Sequence, residues 1–398
     1  MDALARDFEQ IDERLVRAAE GLCPELAARA DEIEATRRLP QDIADKLTQA
    51  SLHAVCNPVS HGGAGAAPAT YARVVETLAR ADASAAWCAF IAITSAYSIA
   101  SASTDDTRAL LQTPGVLTAG VFAPSGRAKR TVRDGVAGYV VSGRWSWGSG
   151  SQNADWVSGG SFVVDDDGNI MKNEGGRPRH VAMIFRADDV TFLDTWSVMG
   201  LQGTGSTDYT VDSVFVPEGR TIDRFGQRAS LSDPIFLFPN FGMLAIGIGA
   251  VALGAARAMI EDLQSFAGKK VPQGNSRALA DKPMTQTGIA KAEATLRAGR
   301  AFFYEAINDA WQGALRNEMT VAHRRDLRLA TAHAVNAAKS CAEIIYELAG
   351  GTAVYRTSPI QRRLRDIQVA GQHMMVNQAT YELVGRLLLD RPTDIEQL

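Results

Sequence analysis

Apolar and polar positions repeat with two different periods along this chain, and the changes of period divide it into three. From Asp2 to about Leu111, apolar residues recur every three to four positions among alanines and charges, the spacing of amphipathic helices. Pro40 and Pro68 stand where helices should begin, and Asn57-Pro58 through His61-Gly62-Gly63-Ala64-Gly65 reads as the loop between them. From about Pro114 to Arg220 the chain breaks into short β-rich runs, Val116–Phe122, Tyr139–Val141, Trp156–Val164, His180–Phe185 and Tyr209–Val216. Gly, Asp and Asn clusters separate them, which predicts an antiparallel barrel or sandwich. From about Pro239 the helical period returns in four long segments, Pro239–Gly268, Pro283–Gln312, Val321–Ala349 and Pro359–Leu389. The expected architecture is α+β and mostly α: a helical domain over 1–113, an antiparallel β-domain over 114–222, and a helical bundle over 223–398. This order excludes an alternating, doubly wound α/β sheet.

Composition narrows the partners. With 41 Lys and Arg against 45 Asp and Glu, the formal net charge is -4, which gives no pull toward nucleic acid or an anionic membrane surface. Four cysteines, Cys23, Cys56, Cys88 and Cys341, lie far apart with no C-x-x-C pair. That argues against a zinc site or a disulfide framework and suits a reducing cytoplasm. Residues 1–7 show no basic stretch leading into an apolar core, so no signal peptide is expected. The most apolar run, Ile235 to Ile260, is interrupted by Pro239, Asn240, four glycines and Arg257, and reads as a buried helix.

Four segments hold candidate chemistry. Gly247-Ile248-Gly249-Ala250-Val251-Ala252 fits a dinucleotide-binding glycine template, but no strand precedes it and no acidic residue follows at the required distance. Its small residues are expected to let another helix approach. Ser142-Gly143-Arg144-Trp145-Ser146-Trp147-Gly148-Ser149-Gly150-Ser151 comes at a strand end. It is either a place where backbone approaches a flat ligand or a turn flanked by two core tryptophans. Thr195 through Ser206, rich in Gly, Thr and Ser, is either a cradle of backbone N–H groups or a long hairpin connection. Near the end, Gly350-Gly351 lead into a run on which Arg362, Asp366, Val369 and His373 fall at i, i+4, i+7 and i+11, one face of a helix. An imidazole there beside fixed ion pairs can do proton chemistry near neutral pH; the plainer alternative is an Arg362–Asp366 surface pair and an ordinary helix histidine.

The order and spacing of S-G-x-W-x-x-x-S-G (within 142–150), W-x-x-x-G-L-x-G-T-G-S (196–206), V-F-V-P (214–217) and S-P-I-Q-R-x-x-R-D (358–366) with Gln372-His373 resemble the acyl-CoA dehydrogenase fold. More narrowly the chain is similar to that fold's flavin-dependent monooxygenases, the oxygenase components of two-component systems. The resemblance covers nearly the whole chain. It implies a homotetramer and a flavin between the β-domain and a C-terminal four-helix bundle. It also implies reduced FMN (or FAD) supplied by a separate NAD(P)H-dependent reductase, and reaction with O2 to a C4a-hydroperoxyflavin that hydroxylates an aromatic or heteroaromatic small molecule. Carried over residue by residue, it gives catalytic roles to His373 and Ser149. Cofactor contacts fall to Trp145, Trp147, Ser149, Gly203, Thr204, Gly205, Ser206 and Arg365. The substrate pocket falls to Trp87, Phe90, Ser95, Tyr97 and Met374.

Two departures shape the expectation. The glutamate base of the dehydrogenases would fall at Met374, and no carboxylate stands between Ile367 and Ala379. A thioether cannot take a proton, so dehydrogenation of an acyl thioester is the lesser alternative, with Glu261, Asp262 and Glu305 its nominal bases. A non-catalytic flavin-binding paralogue is the other. The R-x-x-F pair that reaches an FAD pyrophosphate is not evident between Pro283 and Tyr304, which favours FMN. Phenol-hydroxylating relatives often carry a histidine soon after the tryptophan matched by Trp87, and here Cys88 to Tyr97 contains none.

Overall fold

The computed structural model describes residues 11–223, 233–396 and 398; the N-terminal reading at 1–10 and most of 223–232 lie outside them. The first part is helical: α1 (Glu13–Ala28), α2 (Ala30–Thr36), α3 (Gln41–Gln49), α4 (Pro68–Ala81), α5 (Ala83–Ala100) and α6 (Asp105–Leu111). Local chemistry sets the starts. Pro68 occupies the first turn of α4, and Asp82 caps α5 by accepting the Ala85 N–H at 2.8 Å.

Seven strands follow: β1 (Thr118–Arg133), β2 (Val136–Trp145), β3 (Trp156–Val164), β4 (His180–Arg186), β5 (Thr191–Leu193), β6 (Asp208–Pro217) and β7 (Thr221–Ile222). They form one continuous sheet in the order β5-β6-β2-β1-β3-β4-β7, curled so that Tyr209 of β6 reaches the Ser158 carbonyl of β3 at 2.6 Å and Trp145 of β2 packs on Phe185 of β4, and it thereby encloses a core of its own. All pairings are antiparallel except β1 with β3, which run parallel. The reason is a crossover: β2 ends at Trp145, and residues 146–155 carry the chain past the start of β1 to its other side, where Thr118 pairs with Trp156. Because Trp145 also pairs with Tyr209, the loop entering β6 lies at the same sheet end as this crossover. The two motifs read at 142–151 and 195–206 are thus brought side by side.

The C-terminal part comprises α7 (Asn240–Ala267), α8 (Pro283–Leu315), α9 (Val321–Ala349), α10 (Pro359–Ala370) and α11 (Gln378–Leu388). The two most apolar helices, α5 and α7, are mostly buried inside the protein, as core helices are. Along α7 the glycine template serves packing: a Cβ on Gly247 would run into Phe90 and the Tyr71 hydroxyl, and one on Gly249 would meet Phe303 at 2.8 Å. Glu76 of α4 receives Arg300 of α8 at 2.6 and 3.0 Å and the Tyr304 hydroxyl at 2.7 Å, which locks the first part onto the bundle.

The fourth predicted helix is two. It stops at Ala370 with Gly371 as its cap and restarts only when the Asn377 side chain accepts the Ala379 N–H at 3.1 Å. His373 therefore sits in a turn and not on the helix face shared by Arg362 and Asp366. The expected Arg362–Asp366 pair does not form either. Arg362 pairs with Asp31 of α2, while Asp366 is buried.

Candidate active site

A chain of hydrogen bonds starts on α5 and ends in the glycine-rich loop, and hydroxyl stoichiometry fixes its direction. Thr204 Oγ1 donates to the Leu201 carbonyl at 2.8 Å. A hydroxyl has one proton, so at the 2.6 Å contact between Thr204 and Ser206 the donor is Ser206. Ser206 is then spent as a donor, and at its 2.6 Å contact with Ser149 the donor is Ser149. Ser149 in turn accepts the Trp87 indole N–H at 3.1 Å. The relay runs Trp87, Ser149, Ser206, Thr204, Leu201, almost wholly buried. It leaves Ser149 with one unused lone pair and no proton to give.

Trp147, two residues before Ser149, is 73% exposed and holds φ at 65°, a conformation bulky residues rarely adopt. An indole held bare at a strained backbone position is a ready stacking surface. Trp145 is the opposite case. It is fully enclosed in the sheet's own core, stacked on Tyr209 at 5.4 Å with its N–H on the Gly160 carbonyl at 2.7 Å. The expected cofactor contact at Trp145 gives way to a core role, because alternation along β2 turns that side chain inward.

His373 approaches from the other side, its ring 6.1 Å from that of Trp87. Its Nδ1 accepts the Met375 N–H at 3.2 Å, so a neutral ring carries its proton on Nε2. Burial, with Arg328 nearby, pulls its pKa down to about 4, so the ring is neutral at physiological pH. Arg328 donates to the Met375 carbonyl at 3.1 Å and to Thr380 Oγ1 at 3.3 Å, which fixes the turn.

Asp366 is a residue whose importance the sequence did not reveal. It accepts the Leu201 N–H at 2.6 Å, at the head of the relay's loop. Burial pushes its carboxyl up to about 7 against the lowering effect of that N–H; Asp82 and Glu34 raise it further and Arg365 lowers it. A carboxyl raised in the folded state binds more protons there than when unfolded, so its contribution to stability falls as pH rises from about 4 to 7. Asp366→Asn is expected to remove that slope. By denaturant unfolding, its stability relative to wild type improves from pH 5 to pH 8 by up to about 3 kcal/mol. A difference that stays constant with pH refutes the assignment.

The remaining site expectations divide. Gly203 packs where a Cβ would run into Ile33, and Gly205 takes φ 54°, so both glycines serve the loop's tight docking against α2 and α5. Arg365 is held by Glu34 at 2.6 Å, Gln361 at 2.8 Å and the Met199 carbonyl. Phe90 is buried edge-on to Trp87 at 4.7 Å and Ser95 is half-buried. Tyr97 is fully buried, its hydroxyl at 3.0 Å from the Phe238 carbonyl and 3.2 Å from that of Ile235, a brace for the segment entering α7. Met374 is 57% exposed beside His373. Of the nominal dehydrogenase bases, Glu261 pairs with Arg80 at 2.8 Å, Asp262 pairs with Arg363 at 2.9 Å and Glu305 is exposed.

A helical part, a single sheet and a second helical part follow one another along the chain, with a buried chain of hydroxyls at one sheet end. Residues 11–112 match the acyl-CoA dehydrogenase N-terminal domain and residues 246–378 its C-terminal domain. Indole-3-acetate monooxygenase of Pseudomonas putida is 32% identical over 92% of this chain and 90% of its own. The oxygenase subunit HsaA, a flavin-dependent monooxygenase of Rhodococcus jostii, is 28% identical over 89% of this chain and 92% of its own. The crystal structure of 3-HSA hydroxylase from Rhodococcus sp. RHA1 superposes with a TM-score of 0.86 at 25% identity, covering 97% of this chain and 99% of that one. The chain belongs to the acyl-CoA dehydrogenase-fold flavin-dependent monooxygenases. Within that family it is an oxygenase component, using flavin and O2.

Proposed function

We propose that reduced flavin and an aromatic or heteroaromatic substrate meet between Trp147, Ser149 and His373, and that this is where the substrate is hydroxylated. The observation that carries the assignment is the direction of the relay. Ser149 offers a lone pair and no proton, which fits the ring N–H that a flavin bears when reduced and lacks when oxidised. The bare Trp147 indole fits a planar ring laid along it. Bound there, reduced flavin supplies the electrons that activate O2.

The chain's own groups do the rest. His373, neutral with its proton on Nε2, donates a hydrogen bond toward the reacting oxygen; acting as a base would need the other tautomer. Trp87 and Phe90 keep water from the far side, which favours oxygen transfer over loss of peroxide. The chain divides functionally into the three parts read at 1–113, 114–222 and 223–398. It works as a homotetramer in the cytoplasm: Val354, Tyr355, Leu388 and Leu389 are exposed apolar residues on the C-terminal part that a further copy can cover, and the four cysteines are unpaired.

The test mixes anaerobic protein and reduced FMN, or FAD, with oxygen in a stopped-flow instrument. The expected result is an absorbance transient that precedes the oxidised flavin spectrum and is absent without protein. Direct reappearance of oxidised flavin, together with bleaching of bound flavin by an acyl-CoA, overturns the reading in favour of a dehydrogenase. Neither response favours the binding paralogue.

A further inference from the structure

Helix α10 grips the glycine-rich loop at three consecutive residues. The Arg365 guanidinium donates to the Met199 carbonyl, Gly200 lies so close that a Cβ would run into the Arg365 carbonyl, and Asp366 accepts the Leu201 N–H at 2.6 Å. The residue held in this way is strained. Leu201 is bulky and buried, yet it stands at φ 52° and ψ 33°, in the left-handed region that favours glycine. A leucine does not choose that conformation, so the contacts on its two peptide groups must hold it. Its N–H is on Asp366, and its carbonyl accepts Thr204 Oγ1 at 2.8 Å and the Trp196 indole N–H at 3.2 Å.

That carbonyl is where the relay's direction is decided. Thr204 gives its one proton to Leu201, so each hydroxyl behind it donates forward and Ser149 is left an acceptor. With the Leu201 carbonyl turned away, Thr204 is free to donate to Ser206, and Ser206 to Ser149. Ser149 then accepts from both Ser206 and Trp87 and has its own proton to give. The same hydroxyls thus present either polarity. An acceptor suits the ring N–H of reduced flavin, and a donor suits the bare ring nitrogen of the oxidised form.

We propose that Asp366 is a positioning residue: by clamping Leu201 it fixes the polarity of the relay, and with it the site's preference for reduced over oxidised flavin. This deepens the proposed function and rests on its placing of flavin at Ser149. The clamp responds to charge, because a carboxylate is a stronger acceptor than a carboxylic acid. Burial holds the Asp366 carboxyl up at about 7 against the Leu201 N–H; Asp82 at the head of α5 and Glu34 of α2 raise it, and Arg365 on its own helix lowers it. Asp82 is itself bound to the Ala85 N–H, and Glu34 to Arg365. The sign follows. Above that pH the carboxylate holds Leu201 and Ser149 accepts; below it the clamp slackens and the preference for reduced flavin falls.

The test is anaerobic equilibrium titration of the full chain with dithionite-reduced FMN and with oxidised FMN, at pH 6 and pH 8, taking the ratio of the two Kd values. Asp366→Asn is expected to lower the wild-type preference for reduced FMN about tenfold at pH 8, which lowers the midpoint potential of bound flavin by about 30 mV. At pH 6 the two proteins agree to within about twofold, since wild type has by then lost most of its charge at Asp366. Free FMN titrates equally for both, so their difference isolates the carboxyl. Thr204→Val removes the hydroxyl that locks the direction and is expected to match Asp366→Asn at both pH values. A carboxyl that is merely structural weakens both flavin forms alike and leaves the ratio unmoved. Equal ratios in wild type and Asp366→Asn at pH 8, or a gap that persists at pH 6, overturn the inference. If Asp366→Asn does not fold, the same two outcomes in Thr204→Val overturn it. Ser149→Ala separates this inference from the reading beneath it. A ratio that shifts in Ser149→Ala but not in Asp366→Asn defeats the role of Asp366 alone, and a ratio unmoved by Ser149→Ala defeats the flavin position itself.

Discussion

His373→Ala is expected to lower coupled hydroxylation by about a hundredfold or more, the usual scale for losing one positioned proton-handling group, while flavin affinity stays within about twofold. The imidazole contacts the relay only through its ring packing on Trp87, so removing it leaves the Ser149 lone pair and the Trp147 surface in place. The two measurements therefore separate: product per flavin oxidised falls, and the Kd for reduced flavin does not. The pH profile adds a check. With its pKa down at about 4, His373 stays neutral from pH 5 to 8 and imposes no inflection there. His373→Gln supplies an amide donor in a similar place and is expected to recover part of the loss. Unchanged coupling in His373→Ala returns the residue to a packing role, and an inflection near pH 6.5 that vanishes in the variant refutes the neutral-donor assignment.

Ser149→Ala is expected to shorten the lifetime of the oxygen-dependent absorbance transient about tenfold, equivalent to about 1.4 kcal/mol, with a matching rise in hydrogen peroxide released. The substitution removes the acceptor proposed for the flavin N–H and strands two partners. The Trp87 N–H loses its acceptor and Ser206 loses its donor. Each costs about 1–3 kcal/mol when buried, so thermal stability falls as well. Ser149→Thr keeps the hydroxyl and separates the two effects: it preserves the lifetime even where added bulk lowers stability. A decay rate that is the same in all three proteins removes Ser149 from the site.

The helix–strand–helix order was readable because burial imposes a period on side chains, and the segments at 283–315 and 321–349 follow it from cap to cap. Pairing in the sheet was less readable. Periodicity marks a strand's faces and not its neighbours, so the parallel β1–β3 contact made by the 146–155 crossover had no local signature. The break at 371–377 was hidden for a related reason: Gln372, His373, Met374 and Met375 are all compatible with helix, and what stops it is the cap at Gly371 with the restart at Asn377. The site was half legible. Ser149, Ser206 and His373 stood out as chemistry-bearing residues, but Asp366 was read as a partner for Arg362. One turn of helix brings those two into register, and only the folded chain shows that Leu201, 165 positions away, claims the carboxylate.

The relay also bears on the order in which the chain folds. Its links join residues 62, 57 and 165 positions apart: Trp87 to Ser149, Ser149 to Ser206, and Leu201 to Asp366. None can form inside an isolated helix or hairpin, and each closes a loop whose entropy must first be offset by packing. The relay is thus a late product of folding, present only when α5, the sheet end and α10 have all docked. A ligand held at Ser149 would bind that docked state alone, so its binding energy would oppose unfolding of the whole molecule and not of one loop.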